Sequence, residues 1–200
     1  MRVIAGSARR LPLKTVPGMD TRPTTDRVKE TLFNILNPEL PGCRFLDLFA
    51  GTGQMGLEAV SRGAKAAVFV ENNKKAASCI EENMRFTKLS ERCTLLLQDA
   101  SLAISRMEGQ EPFELVFMDP PYGKGLELNL LQVLAKSSLI TDCSLIVVET
   151  SLDTELSPAE GLGYAITREK AYKTNKHVFL RFTKQAMGEK DEKSNLPGQL

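Results

Sequence analysis

Apolar runs and helix-period segments alternate along most of this chain. Residues 44–50 (RFLDLFA) form an apolar strand pattern that runs into a glycine-rich turn. A helix is expected over 54–62, with Gly63 as its C-terminal stop. Residues 66–71 (AAVFVE) read as a second strand. Asn72 or Asn73 can then cap a helix from about 74 to 88, in which Ala76, Ile80, Asn83 and Met84 recur near helical spacing. Further strands are expected at 93–99, 114–118 and 144–150, separated by a short helix at 101–107 and a longer one at 126–139. After residue 160 the helices cease. Residues 164–168 and 176–182 look like two strands joined directly, an antiparallel hairpin added to the sheet.

Near-continuous apolar strands separated by helices point to a parallel sheet covered on both faces. Right-handed crossovers make that a doubly wound α/β fold, here of seven strands, mostly parallel. Ligands of such folds bind beyond the carboxyl ends of the strands. Asp47, Glu71, Asp99 and Asp119 all fall at those ends. Upstream, Thr25 or Asp26 can cap a helix with an apolar stripe of Val28, Leu32, Ile35 and Leu36. Residues 1–21 read as an N-terminal extension that can form a hairpin. Residues 184–200, polar and punctuated by Gly188, Pro197 and Gly198, read as a disordered tail on a single domain of residues 1–183.

Asp119-Pro120-Pro121-Tyr122 follows the fourth expected strand. Neither proline has an N–H to donate, so the chain must leave the sheet there stiffly. The corner places a carboxylate before the prolines and an aromatic ring after them. Asp119 can accept a hydrogen bond from a planar amine, the Pro120 carbonyl a second, and Tyr122 can stack on the ring that bears the amine. The plainer reading is that the two prolines merely end a strand.

Gly51, Gly53 and Gly56 match G-x-G-x-x-G between a strand and a helix, and Glu71 follows twenty residues after Gly51. A nicotinamide-dependent oxidoreductase therefore fits this segment. Asp47 argues against it, because a carboxylate there would repel a pyrophosphate. The same carboxylate suits a ligand with a positive amino group. S-adenosylmethionine combines such a group with a ribose diol, for which Glu71 is placed, and an adenine, for which Asp99 with Ala100 is placed.

The totals limit the choices without making one. The 200 residues are 42% hydrophobic and 26% charged, as in a soluble chain with a core. No apolar run approaches the roughly 18–20 residues of a membrane span. The N-terminus lacks a signal peptide's apolar segment, so a cytoplasmic protein is expected. Cys43, Cys79, Cys93 and Cys143 show no paired spacing and read as reduced, buried thiols. The one histidine, His177, excludes a histidine-rich metal site and reads as structural or exposed rather than catalytic. Net charge is +1, but residues 1–30 carry seven cations against three acids. That local excess fits either phosphate docking or a solvated surface.

The set D-L-F-A-G-T-G-x-x-G, an acidic second strand end and D-P-P-Y resembles class I S-adenosylmethionine-dependent methyltransferases acting on planar amines. Residues 22–36 (RPTTDRVKETLFNIL) resemble, more narrowly, the signature of the RsmD family. The resemblance spans roughly residues 1–183. It implies a Rossmann-like methyltransferase sheet and methylation of the exocyclic N2 of a guanine in 16S ribosomal RNA of the small ribosomal subunit. It implies catalytic residues Asp119, Pro120, Pro121 and Tyr122, and no metal. A cofactor site of Asp47, Phe49, Ala50, Gly51, Gly53, Gly56, Glu71, Asn72, Asp99 and Ala100 follows for S-adenosyl-L-methionine. RNA contacts are expected from Arg9, Arg10, Arg22, Thr24, Arg27 and Lys29, on a monomer. The stretch Gly6-Ser7-Ala8-Arg9-Arg10 is less rich in glycine and arginine than in many family members, and Glu71 stands where Asp is common. An adenine-N6 methyltransferase, an oxidoreductase and a non-enzymatic RNA-binding assembly factor are the rival readings.

Overall fold

The computed structural model describes residues 1–16 and 25–183. Arg22, Thr24 and the polar segment 184–200 lie outside the described residues. Seven strands form one sheet: β1 (Arg44–Asp47), β2 (Ala66–Glu71), β3 (Cys93–Leu97), β4 (Leu115–Met118), β5 (Leu145–Ser151), β6 (Tyr164–Ala171) and β7 (Asn175–Phe182). Their spatial order is β3-β2-β1-β4-β5-β7-β6. The first five are parallel, and β7 enters antiparallel between β5 and β6. The expected doubly wound sheet and its terminal hairpin are both present. The strand order reverses beside β1, where β4 rather than β2 continues the sheet, and this is where such folds open a crevice.

Among the described residues, five α-helices cover the sheet: α1 (Asp26–Leu36), α2 (Gln54–Ser61), α3 (Lys74–Phe86), α4 (Ala100–Arg106) and α5 (Leu126–Ala135). Alternate residues along each strand face opposite sides. Phe45, Phe69, Phe117, Val147 and Phe179 join one buried cluster with Leu32, Phe33 and Leu57. Leu46, Val70, Met118, Val148 and Leu180 join another with Ile104, Leu130 and Leu134. The sheet thus separates α1–α3 from α4 and α5. Each buried phenylalanine in the first cluster contributes about 1.5–3 kcal/mol relative to exposure.

Local signals set the helix starts. Thr25 accepts from the Val28 amide at 3.4 Å, and Asn73 accepts from the Lys75 and Ala76 amides at 2.9 and 3.2 Å. In α1 the buried residues are Lys29, Leu32, Phe33 and Leu36, with Val28 and Ile35 only half-buried. The expected stripe is therefore rotated, because a buried acid beneath the helix draws Lys29 inward. The N-terminal residues make a hairpin-like turn with a single bridge, Arg2 to Pro12. It lies against the body: the Ile4 and Ala5 amides donate to Glu58 on α2 at 2.7 and 3.0 Å, and the Lys14 amide to Asn83 on α3 at 2.8 Å. All four cysteines are free thiols; Cys143 is exposed, contrary to the expectation of burial, since it sits in the turn before β5. Among the described residues, no helix is long and apolar enough to cross a membrane.

Candidate active site

Four buried apolar residues of β4 deliver the chain to the diproline corner. Pro120 is buried, Pro121 exposed and Asp119 half-buried. Neither the Asp119 carboxylate nor the Pro120 carbonyl accepts a hydrogen bond from any described residue. Two acceptors free of partners stand at a corner that cannot rejoin the ladder. Met118 pairs with Val148 on β5, so Asp119 comes to lie beside Glu149. Burial first, then Glu149 and Asp47, push the Asp119 carboxyl up to about 8. Tyr122 is 44% exposed. Burial and the charges of Asp119 and Glu149 hold its hydroxyl well above the usual phenol range.

The glycine bend lies next door, between β1 and α2. Asp47 ends β1 and is fully buried, with neither carboxylate oxygen hydrogen-bonded. Burial raises its pKa to about 7, and Glu71 adds to this. The Phe49 and Gly56 amides lie near enough to favour the charged form, yet neither closes a hydrogen bond on it. Glu71 ends β2 and fastens the bend: it accepts from the Gly51 amide and the Asn73 amide, both at 2.8 Å. Each of its oxygens keeps a lone pair for a further donor. Phe49 is half-buried and Asn72 exposed, while Ala50 is buried with its amide donated to the Val70 carbonyl.

Two glycines have separate reasons to be there. Gly53 begins α2 at φ 79°, a conformation that favours glycine. Gly56 has a packing task beside the cofactor contact expected of it. A Cβ there would meet the Phe69 ring at 2.4 Å, so Gly56 lets α2 close on β2. At the third strand, Asp99 caps α4 by accepting from the Ser101 amide at 2.8 Å. Its other oxygen stays open, and the first-turn amide of Ala100 has no intrahelical partner.

This arrangement fits S-adenosylmethionine. The orphaned carboxylate of Asp47 would take the amino group, Glu71 the ribose diol, and Asp99 with the Ala100 amide the adenine edge. By strand alternation, Asp47, Glu71 and Glu149 share a face with Phe45, Phe69 and Val147. The acids therefore gather at one edge of one face.

Glu149 escaped the sequence reading, although it stands near the end of an expected strand as the other four acids do. Its oxygens accept from Asn175 and contact His177 Nε2, the latter at 2.9 Å. His177 is fully buried, and the Tyr172 ring meets it edge-on at 5.0 Å. No sequence signal marks the His177–Glu149 pair, because it arises from the antiparallel register of β5 with β7.

The basic N-terminal segment is less free than its charge suggests. Arg2 pairs with Asp26, Lys14 with Glu82, and Lys29 with Glu58. Lys29 is not an RNA-contacting residue: it is fully buried, and its ammonium donates to the Arg2 carbonyl at 2.6 Å. Burial lowers its pKa, opposed by Glu58. Arg9, Arg10 and Arg27 are exposed and have no ion pair among the described residues.

A parallel sheet of this order, closed by an inserted antiparallel strand, is the Rossmann-like fold of the methyltransferases. The family model described as Conserved hypothetical protein 95 matches residues 1–181. Ribosomal RNA small subunit methyltransferase D of Haemophilus influenzae is 36% identical over 173 residues, 85% of this chain and 88% of that one. The protein of the same name from Escherichia coli K12 is 33% identical over 193 residues, 96% and 93% of the two chains. The solved structure of Escherichia coli yhhF superposes with a TM-score of 0.81 at 31% identity, covering 92% of this chain and 99% of that one. The chain belongs to the RsmD methyltransferase family.

Proposed function

We propose that this protein methylates the exocyclic N2 of a guanine in 16S ribosomal RNA of the small subunit, with S-adenosylmethionine as donor. The observation that carries this reading is the pair of unpartnered acceptors, Asp119 and the Pro120 carbonyl, beside the orphaned carboxylate of Asp47. The relatives' names support the ribosomal substrate.

When bound, S-adenosylmethionine supplies an electrophilic methyl carbon. The work of the chain is to prepare the amine. The N2 lone pair of guanine is delocalised into the ring, so the free amine is a weak nucleophile. Asp119 and the Pro120 carbonyl accept its two N–H groups and turn the lone pair outward. They also stabilise the positive charge that grows on nitrogen as the N–C bond forms and the S–C bond breaks. The Asp119 carboxylate, with its raised pKa, then takes the proton that nitrogen sheds. Tyr122, exposed at the corner, stacks on the base, worth roughly 1–3 kcal/mol. The target must leave its stack to reach the corner, at a few kcal/mol.

Tritiated methyl transfer to small subunits lacking native modification, followed by digestion, identifies the base. N2-methylguanine is expected, and N6-methyladenine overturns the assignment.

Two further results follow from the site. Glu71→Ala removes a diol acceptor and unfastens the Gly51 amide, so cofactor affinity falls at least tenfold by calorimetry, about 1.4 kcal/mol. Unchanged affinity removes Glu71 from the site. Because the Asp119 carboxyl, pushed up to about 8, must lose its proton before it can accept one, the single-turnover rate rises with pH through neutrality. Glu149→Gln deletes one cause of that shift and moves the acid limb to lower pH. A limb that stays in place separates Glu149 from the titration. The sign for stability is opposite: a carboxyl with its folded pKa raised makes the folded state lose stability as pH climbs from about 3.8 to about 8.

A further inference from the structure

A groove of about 360 Å³ runs between α1 and the turn joining β6 to β7, lined by Arg27, Val28, Thr31, Lys170, Ala171, Tyr172 and Lys173. Its floor is apolar (Val28, Ala171 and the Tyr172 ring), and its rim carries three cations. Arg27, Lys170 and Lys173 are exposed, and no described acid pairs with any of them. Glu169, the acid nearest in sequence on the hairpin, is already held by Lys176 at 3.2 Å. A run of contacts links the groove to the candidate active site. Tyr172, in its floor, packs edge-on against His177, His177 contacts Glu149, and Glu149 lies beside Asp119.

We propose that this groove holds the RNA strand next to the target nucleotide, with phosphates on Arg27, Lys170 and Lys173 and a base or ribose against Val28, Ala171 and Tyr172. The inference rests on the reading that RNA is the substrate and says where the flanking strand is gripped. Alternation of negative charge and flat apolar surface is what a single strand offers, and a cationic rim over an apolar floor matches both. The volume lies within the roughly 300–1,000 Å³ of small-molecule sites, room for a nucleotide unit. A target base drawn out to the diproline corner leaves its neighbours extended, and Lys170 on the groove's rim is two strands across the sheet from Glu149, through His177. The three cations sit on two elements far apart in sequence, so only the folded chain assembles the rim.

The test is the triple variant Arg27→Gln/Lys170→Gln/Lys173→Gln, with Lys136→Gln on the opposite face of the sheet as control. All of these side chains are exposed, so folding is not at risk. Binding of 16S ribosomal RNA, naked and in undermethylated small subunits, is measured by filter retention across a salt series. Cofactor affinity is measured by calorimetry. The triple variant should bind both RNA forms about 10–100-fold more weakly. The slope of log K against log salt should fall by about 2, from roughly 0.7 per phosphate contact. Cofactor affinity should stay within twofold, and Lys136→Gln should match wild type. Wild-type RNA affinity and salt slope in the triple variant overturn the groove, whatever the methylation result. So does a loss confined to particles, which would place an acidic protein there instead. A wild-type protein that binds RNA with the expected salt dependence yet methylates no ribosomal RNA removes the proposed activity and leaves the groove standing. One that binds no RNA removes both.

Discussion

Asp119→Ala should abolish methyl transfer, by a factor of about 10³ or more, while cofactor affinity stays within a few-fold. The expectation follows from position. Asp119 follows directly on β4, where two prolines force the chain out of the sheet, and its carboxylate is spent on no described residue. A group held partially buried and unsatisfied is costly, and burial with Glu149 beside it raises its pKa to about 8. Alanine would relieve that cost, so the variant should fold at least as well as wild type. Removing a preorganised acceptor at the point where charge develops costs about 2.7–4 kcal/mol in activation energy. Loss of the proton acceptor adds to it. Asp119→Asn is the informative companion, since an amide oxygen still orients the amine but accepts a proton poorly. It should retain partial activity and lose the acid limb of the pH profile. Single-turnover rates decide the matter: substantial turnover by Asp119→Ala removes the residue from the mechanism.

Glu58→Ala should destabilise the protein by about 3–5 kcal/mol, with activity falling only as the folded fraction falls. Glu58 is fully buried on α2 and serves four donors. It accepts from the Ile4 and Ala5 amides and from Arg62 Nε at 2.7 Å, and pairs with the Lys29 ammonium at 3.7 Å. Its loss strands two backbone amides and a buried cation together. For a domain of this size the corresponding fall in Tm is on the order of 10 °C. The sign of the pH dependence is distinctive. Lys29 already has a lowered pKa through burial, and without Glu58 it falls further. The unfolded state then binds more protons than the folded state, so stability of the variant rises with pH up to the ordinary lysine value of about 10.4. Denaturant melts at several pH values test this. A deficit under about 1 kcal/mol, or one independent of pH, would mean that Glu58 is not the anchor of the N-terminal segment.

The two substitutions mark different degrees of legibility. The diproline corner is a local fact: missing amides and a preceding apolar run dictate that the strand ends and that Asp119 sits at its end. The glycine bend is equally local in its turn geometry at Gly53, and the strand and helix order followed from apolar period alone. Glu58 and Lys29 were opaque. Lys29 stands among cations in a basic segment and reads as a surface residue until the partner beneath it, twenty-nine positions on, is known. The packing task of the third glycine is hidden in the sequence for a related reason, since its neighbour is the Phe69 ring on another strand. His177 showed no signal in its own segment because its partner Glu149 is reached only through β-sheet register.

Sequence alone determined the element order, the parallel sheet with its terminal hairpin, the corner at Asp119 and the acids at the strand ends. These rest on period, proline and glycine chemistry, which act over a few residues. Only the tertiary structure decided which charges are free. It buried Lys29 against Glu58, set Glu149 beside Asp119, and brought Arg27 across from Lys170 and Lys173. Whether a charge is solvated, paired or left unsatisfied depends on what lies within a few ångströms, and those neighbours come from distant parts of the chain.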